Sequence, residues 1–212
     1  MIIWTIQDPA VWDQLEKTGI YTTPDARIEF PPEEDDALCH FNYAYRWLSE
    51  RMAERIGPPP EGVRYPVWAW YKQQGRADGK PDMRSSQYLK GSPCVRMKLD
   101  IPDYEVLVSD FDNWYFALSY CYLSRSERDD EDFERWYESL GIGFHDIGNW
   151  VLDSPDLRLV RSHVEQSWER MLGIEPQPDT YWHFPWEKRS LQATFWTLRR
   201  EHVLSVERFI SR

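Results

Sequence analysis

The chain has 212 residues, 42% hydrophobic and 16% aromatic, which supplies a packed core and excludes a disordered polypeptide. Its 25 Lys and Arg against 36 Asp and Glu give a net charge of -11, which repels phosphates and argues against general binding to duplex DNA or RNA. Cys39, Cys94 and Cys121 are far apart and form no CxxC pair, so they read as reduced core residues rather than a disulfide scaffold or zinc site.

Ile2-Ile3-Trp4-Thr5-Ile6-Gln7 reads as a strand. Asp8 follows as a helix N-cap and Pro9 as the first helical residue, where a missing N–H costs nothing. Val11, Trp12 and Leu15 form one helical face, and Gly19 closes it. Residues 22–36, rich in Pro and acids, read as a loop. Asp36 opens a long helix in which Leu38, Phe41, Tyr45, Leu48, Met52 and Ile56 recur three and four apart, until Gly57. Pro58, Pro59 and Pro60 then make a rigid connection.

Tyr65 to Tyr71 is strand-like, with Trp68 and Trp70 on one face. Residues 73–92 are polar and read as a long mobile loop that closes over a cleft. Val95, Met97 and Leu99 alternate with Arg96, Lys98 and Asp100, which predicts a half-exposed strand. Tyr104 to Val108 reads as another strand, and Asp112 as the cap of a helix through Trp114, Leu118 and Cys121. Helices are predicted over 126–140 and 153–172, and strands over 190–197 and 203–210. No apolar run is long enough to span a bilayer and no signal peptide is visible, so the expected location is cytoplasmic. The sum is one α+β domain over residues 1–212, a mixed or antiparallel sheet flanked by helices.

The candidate site rests on two Gln residues in apolar strands near Trp: Gln7, and Gln192 in Leu191-Gln192-Ala193-Thr194-Phe195-Trp196. A buried amide is costly unless it is hydrogen-bonded, so the matching pattern suggests two strands meeting at one polar spot. Trp4, Trp68, Trp70 and Trp196 offer flat walls for a planar ligand. Arg84, in Lys80-Pro81-Asp82-Met83-Arg84, offers a fork for a phosphate or carboxylate. Asp110 and Asp112 end a strand, a common place for catalytic carboxylates, but capping accounts for Asp112 and no further metal ligands are identified by spacing. His145-Asp146 and His183 come with no nucleophile elbow and no HExxH.

Together, Trp4-Thr5-Ile6-Gln7, Val67-Trp68-Ala69-Trp70, Lys80 to Arg84, Val108 to Trp114 and Gln192 to Trp196 resemble a bacterial family of uncharacterised proteins, a domain of unknown function. More distantly, the opening strand, the Pro-capped helix, Gly19 and the Leu191-Gln192-Ala193-Thr194 strand resemble segments of ADP-ribosyltransferase-like domains. That resemblance implies an ADP-ribosyltransferase-like fold and a cleft for NAD or a related nucleotide. It puts Gln192, Thr194 and Glu201 at the catalytic position, with Trp4, Gln7, Trp68, Trp70, Arg84 and Trp196 around the cofactor. Two departures matter: Trp4 stands where the family has His, and Thr194 where it has Glu. A Thr hydroxyl carries no charge to stabilise an oxocarbenium-like transition state. The expectation is therefore a catalytically degenerate nucleotide site, unless Glu201 substitutes. The alternative is a non-enzymatic protein- or ligand-binding module, such as a toxin–antitoxin or defence component.

Overall fold

The computed structural model describes residues 1–24, 36–74, 76, 79–81, 91–173, 175 and 185–211, with side chains in the second stretch from residue 40 onward. Strand β1, Ile2–Gln7, leads into helix α1, Pro9–Thr18. Asp8 is extended, its carboxylate accepts from the Ala10 N–H, and Pro9 sits in the first turn. Gly19 takes φ 76 and donates its N–H to the Leu15 carbonyl, which ends the helix. After the short β2, Ile20–Tyr21, the long helix α2 runs Asp36–Ile56. Then come β3 (Val67–Lys72), β4 (Pro93–Asp100), β5 (Leu107–Asp110) and α3 (Phe111–Leu118). Three helices follow, α4 (Glu127–Ser139), α5 (Phe144–Ile147) and α6 (Pro155–Ser167). The chain closes with β6 (Leu191–Phe195), β7 (Leu198–Arg199) and β8 (Val203–Ile210).

The architecture is α+β, as expected. Six strands form an antiparallel sheet in the order β5-β6-β3-β1-β4-β8, and β2 and β7 make a separate small pair. The two Gln-bearing strands share this sheet and meet through β3, which lies between them. Trp70 is opposite Trp4 on one side and Gln192 on the other. Among the described residues, no helix is long and apolar enough to cross a membrane.

The sheet separates two apolar cores, and the strand alternation explains how. Val67 and Ala69 of β3, Val108 of β5, and Ala193 and Phe195 of β6 join α1's Val11, Trp12 and Leu15 in one core. Leu107 and Trp68 point into the other, built by Leu48 and Met52 of α2, Trp114 of α3, Val160 and Val164 of α6, and Trp168.

Three boundaries differ from the sequence reading. Residues 103–105 form a 3-10 turn, and β5 begins at Leu107 and runs on through Ser109 and Asp110. The whole of β5 is buried, its polar end included. Asp110 rather than Asp112 is therefore the cap of α3, accepting from the N–H groups of Asp112 and Asn113. The 153–172 helix begins at Pro155 behind the cap Ser154 and tightens to a 3-10 turn at 168–171. There Ser167 Oγ donates back to the Val164 carbonyl and accepts from the Leu123 N–H, drawing the helix end onto a neighbouring segment. Strand β4 is not half-exposed at Arg96, which is only 4% accessible. Its guanidinium donates to the Pro81 carbonyl at 2.9 Å and pairs with Glu207 across the β4–β8 ladder.

Candidate functional site

Two adjoining cavities lie where β1, β3, β6 and α3 converge. The first, about 410 Å³, is lined by Thr5, Ile6 and Gln7 of β1, Trp68 to Trp70 of β3, Gln192 of β6, and Phe111 and Tyr115 of α3. The second, about 430 Å³, shares Trp70 and Phe111 and adds Gln73, Gln74, Asp112, Lys188 and Ser190. The shared wall is aromatic. Trp70 and Phe111 meet edge-on at 5.1 Å, and Phe111 meets Tyr115 at 5.5 Å. Phe111 and Tyr115 are four apart on α3, hence neighbours on one helix face.

Polar groups at this wall are arranged unevenly. Gln7 Nε2 donates to Thr5 Oγ1, and Thr5 Oγ1 donates to the Trp68 carbonyl, each at 2.8 Å. This relay fixes the plane of the Gln7 amide. Gln192 Oε1 is the opposite case: it is buried and has no hydrogen-bond partner among the described residues. Gln192's cross-strand partner is Ser109, whose Oγ is likewise buried and unpaired, as is Asn113 Oδ1 at the start of α3. Each such group left unpaired costs roughly 1–3 kcal/mol.

Beside them, Asp110 Oδ2 and Arg189 Nη1 stand 3.8 Å apart, with both residues almost fully buried. Burial pushes the Asp110 carboxyl up. Arg189 and the capped N–H groups pull the other way without cancelling it. Asp112, at the rim of the second cavity, is also raised by burial, with Arg189 opposing. Among the described residues, no three His, Cys, Asp or Glu side chains gather as a metal would need.

Of the residues singled out in the sequence, Gln7, Trp68, Trp70 and Gln192 come together around the first cavity. The others go elsewhere. Thr194 is 0% accessible, and its hydroxyl donates to the Leu107 carbonyl at 3.2 Å, beneath the cavity rather than in it. Trp196 lies in the second core, with Nε1 donating to the Gly57 carbonyl at 2.9 Å. Trp4 lines neither cavity; its ring lies 5.4–5.7 Å from the cationic groups of Lys80, Arg96 and Lys98. Glu201 is exposed in the 3-10 turn at Arg200–His202 and borders neither cavity. Arg84, most of the 73–92 loop and His183 lie outside the described residues. Asp146 does not orient His145: its Oδ2 accepts from the Gly143 N–H at 2.7 Å, capping its own short helix.

The sequence reading missed Phe111, Tyr115 and Lys188. The available signal was the Phe111/Tyr115 spacing, which puts a second aromatic face on α3 beside the Trp114 face.

A family model described as a domain of unknown function (DUF3841) matches residues 2–204. No curated protein and no solved structure matches the chain.

Proposed function

The chain belongs to the DUF3841 family, a domain of unknown function, and we propose, from the geometry of the cleft together with the distant resemblance to ADP-ribosyltransferase-like domains, that it binds NAD or a related nucleotide in the paired cavities. The observation that carries this reading is Gln192, which lines an aromatic cleft and whose Oε1 is a buried acceptor without a donor among the described residues. The carboxamide N–H of nicotinamide or the exocyclic amine of adenine would supply that donor. Trp70, Phe111 and Tyr115 would enclose the planar ring. The second cavity, with Lys188 in its wall, would take the ribose and phosphate half.

The chemistry of Thr194 and Glu201 favours binding without turnover. One is committed to a backbone carbonyl and the other is outside the cleft. In this reading the protein is an ADP-ribosyltransferase-like binding module of the bacterial cytoplasm, and a degenerate enzyme. Thermal unfolding with NAD, AMP, adenosine and nicotinamide tests it. A ligand at 100 times its dissociation constant adds about 2.7 kcal/mol of stability. Replacing Gln192 with Ala should leave the fold intact and weaken that ligand about fivefold or more. No stabilisation by any of the four ligands refutes the reading, as does stabilisation untouched by Gln192→Ala.

A further inference from the structure

We propose that a second, separate site on the molecule binds the phosphoryl group of a small organic phosphate, in the cavity between α2 and the segments around Arg64 and Trp150. That cavity measures about 810 Å³, against about 410 Å³ for the Gln192 cleft, so it has room for an organic body as well as an anion. Arg46 of α2 and Arg64 both line it, and no Asp or Glu is among its described lining residues. In a chain with 36 acidic residues, Arg46 brings a positive charge to this cavity.

Arg46 is the better placed of the two. Its guanidinium carbon lies 4.3 Å from the Tyr43 ring centroid. Tyr43 in turn stacks on Trp150 at 3.8 Å with an interplanar angle of 8°. Arg161 lies 4.6 Å from the Trp150 ring and is itself fixed by donating to the carbonyls of Ile147 and Asn149. The stack is thus anchored at one end by backbone carbonyls and presents Arg46 at the other. Arg46 makes no ion pair among the described residues.

A guanidinium held by its face against a ring keeps its N–H edges for a ligand. A planar fork matches two oxygens of a phosphoryl group. Trp150, whose ring forms part of the wall, has its Nε1 buried with no hydrogen-bond partner among the described residues. Tyr45, also lining the cavity, has its ionisation pushed up by burial, so its phenol stays protonated and does not repel an anion.

The test is isothermal titration of the full chain with phenyl phosphate and with inorganic pyrophosphate, with citrate as a carboxylate control. Phenyl phosphate or pyrophosphate should bind, and citrate should bind at least about tenfold more weakly. Arg46 is exposed, so Arg46→Ala should keep the native melting temperature while weakening the phosphate probe about tenfold or more. Arg46→Lys should recover only part of that loss, because an ammonium lacks the fork. Gln192→Ala should leave it unchanged, which separates this site from the nucleotide cleft. Absence of binding by both phosphate probes overturns the proposal. So does binding insensitive to Arg46→Ala. Citrate binding as tightly as the phosphates overturns the phosphoryl assignment.

Discussion

Replacing Thr194 with Glu would supply the carboxylate that the proposed ADP-ribosyltransferase-like reading lacks, and the structure predicts that the change destabilises the protein rather than activating it. Thr194 is 0% accessible, and its hydroxyl donates to the Leu107 carbonyl, its own cross-strand partner. Glu adds atoms to a closed site, an overpacking cost of about 1–3 kcal/mol. It also buries a carboxyl group whose oxygens find no donor there, costing about 2–4 kcal/mol even when it stays protonated. The hydrogen bond to Leu107 is lost as well, at about 1 kcal/mol. The sum is about 4–8 kcal/mol, most of the stability of a typical domain. At about 2–4 °C per kcal/mol for a chain of this size, the melting temperature should fall by roughly 8–32 °C. Thr194→Val keeps the volume and loses only the hydrogen bond, so it should cost about 1 kcal/mol and leave nucleotide affinity unchanged. Thermal and urea unfolding of both variants, with an NAD hydrolysis assay on each, checks the argument. A Thr194→Glu protein that melts within a few degrees of the parent and hydrolyses NAD would place this side chain in an open cleft and refute the reasoning.

Two further outcomes follow from buried polar groups. His202 is 7% accessible, and burial lowers its affinity for a proton below the usual 6.5, with Arg199 acting the same way and Glu105, Glu201 and Asp100 opposing. The unfolded chain then binds the proton more readily, so this contribution to stability is complete above about pH 6.5 and declines as pH falls below it. Urea unfolding between pH 5 and 8 should show a steeper acid-side loss for the parent than for His202→Gln; parallel profiles would dismiss the role of this group. Trp168 is 0% accessible, donates to the Cys121 carbonyl at 2.8 Å, and meets the rings of Trp47 and Tyr120 edge-on. Trp168→Phe strands that carbonyl and leaves a void, and should cost about 2–4 kcal/mol in denaturant titration. A loss under about 0.5 kcal/mol would show that the carbonyl is satisfied by another donor.

The parts of the fold that the sequence announced are those decided by neighbours in the chain. Asp8, Pro9 and Gly19 bound α1 because capping, proline geometry and a left-handed closing residue act over a few positions. The Gln-bearing strands could be paired in thought because their apolar alternation marks both as sheet. What alternation does not encode is depth along a strand. Gln192, Thr194 and Trp196 alternate as if they shared one open face. In the fold, the β6 end at Gln192 reaches the cavity, while Thr194 and Trp196 run under the helices of the second core. Asp110 was passed over as the cap for a related reason. Four consecutive buried residues, two of them polar, are possible only where both faces of β5 are covered, and that cover comes from helices distant in sequence.

The strand order β5-β6-β3-β1-β4-β8 also sets how the molecule must be assembled. Among the described strands of the main sheet, no pair is joined by a tight hairpin. Thr5 reaches Trp68 across 63 residues, Thr194 reaches Leu107 across 87, and Trp196 reaches Gly57 across 139. Strand β6 is a wedge, entering between two strands that leave the ribosome long before it does. Until it arrives, β3 and β5 each keep a bare edge, and neither apolar core can shut. Closure of such distant loops comes before the contacts that reward it, so folding is slow and the waiting edges are open to the wrong partner. Dilution and low temperature during refolding should therefore govern the yield of native protein more than any single side chain does.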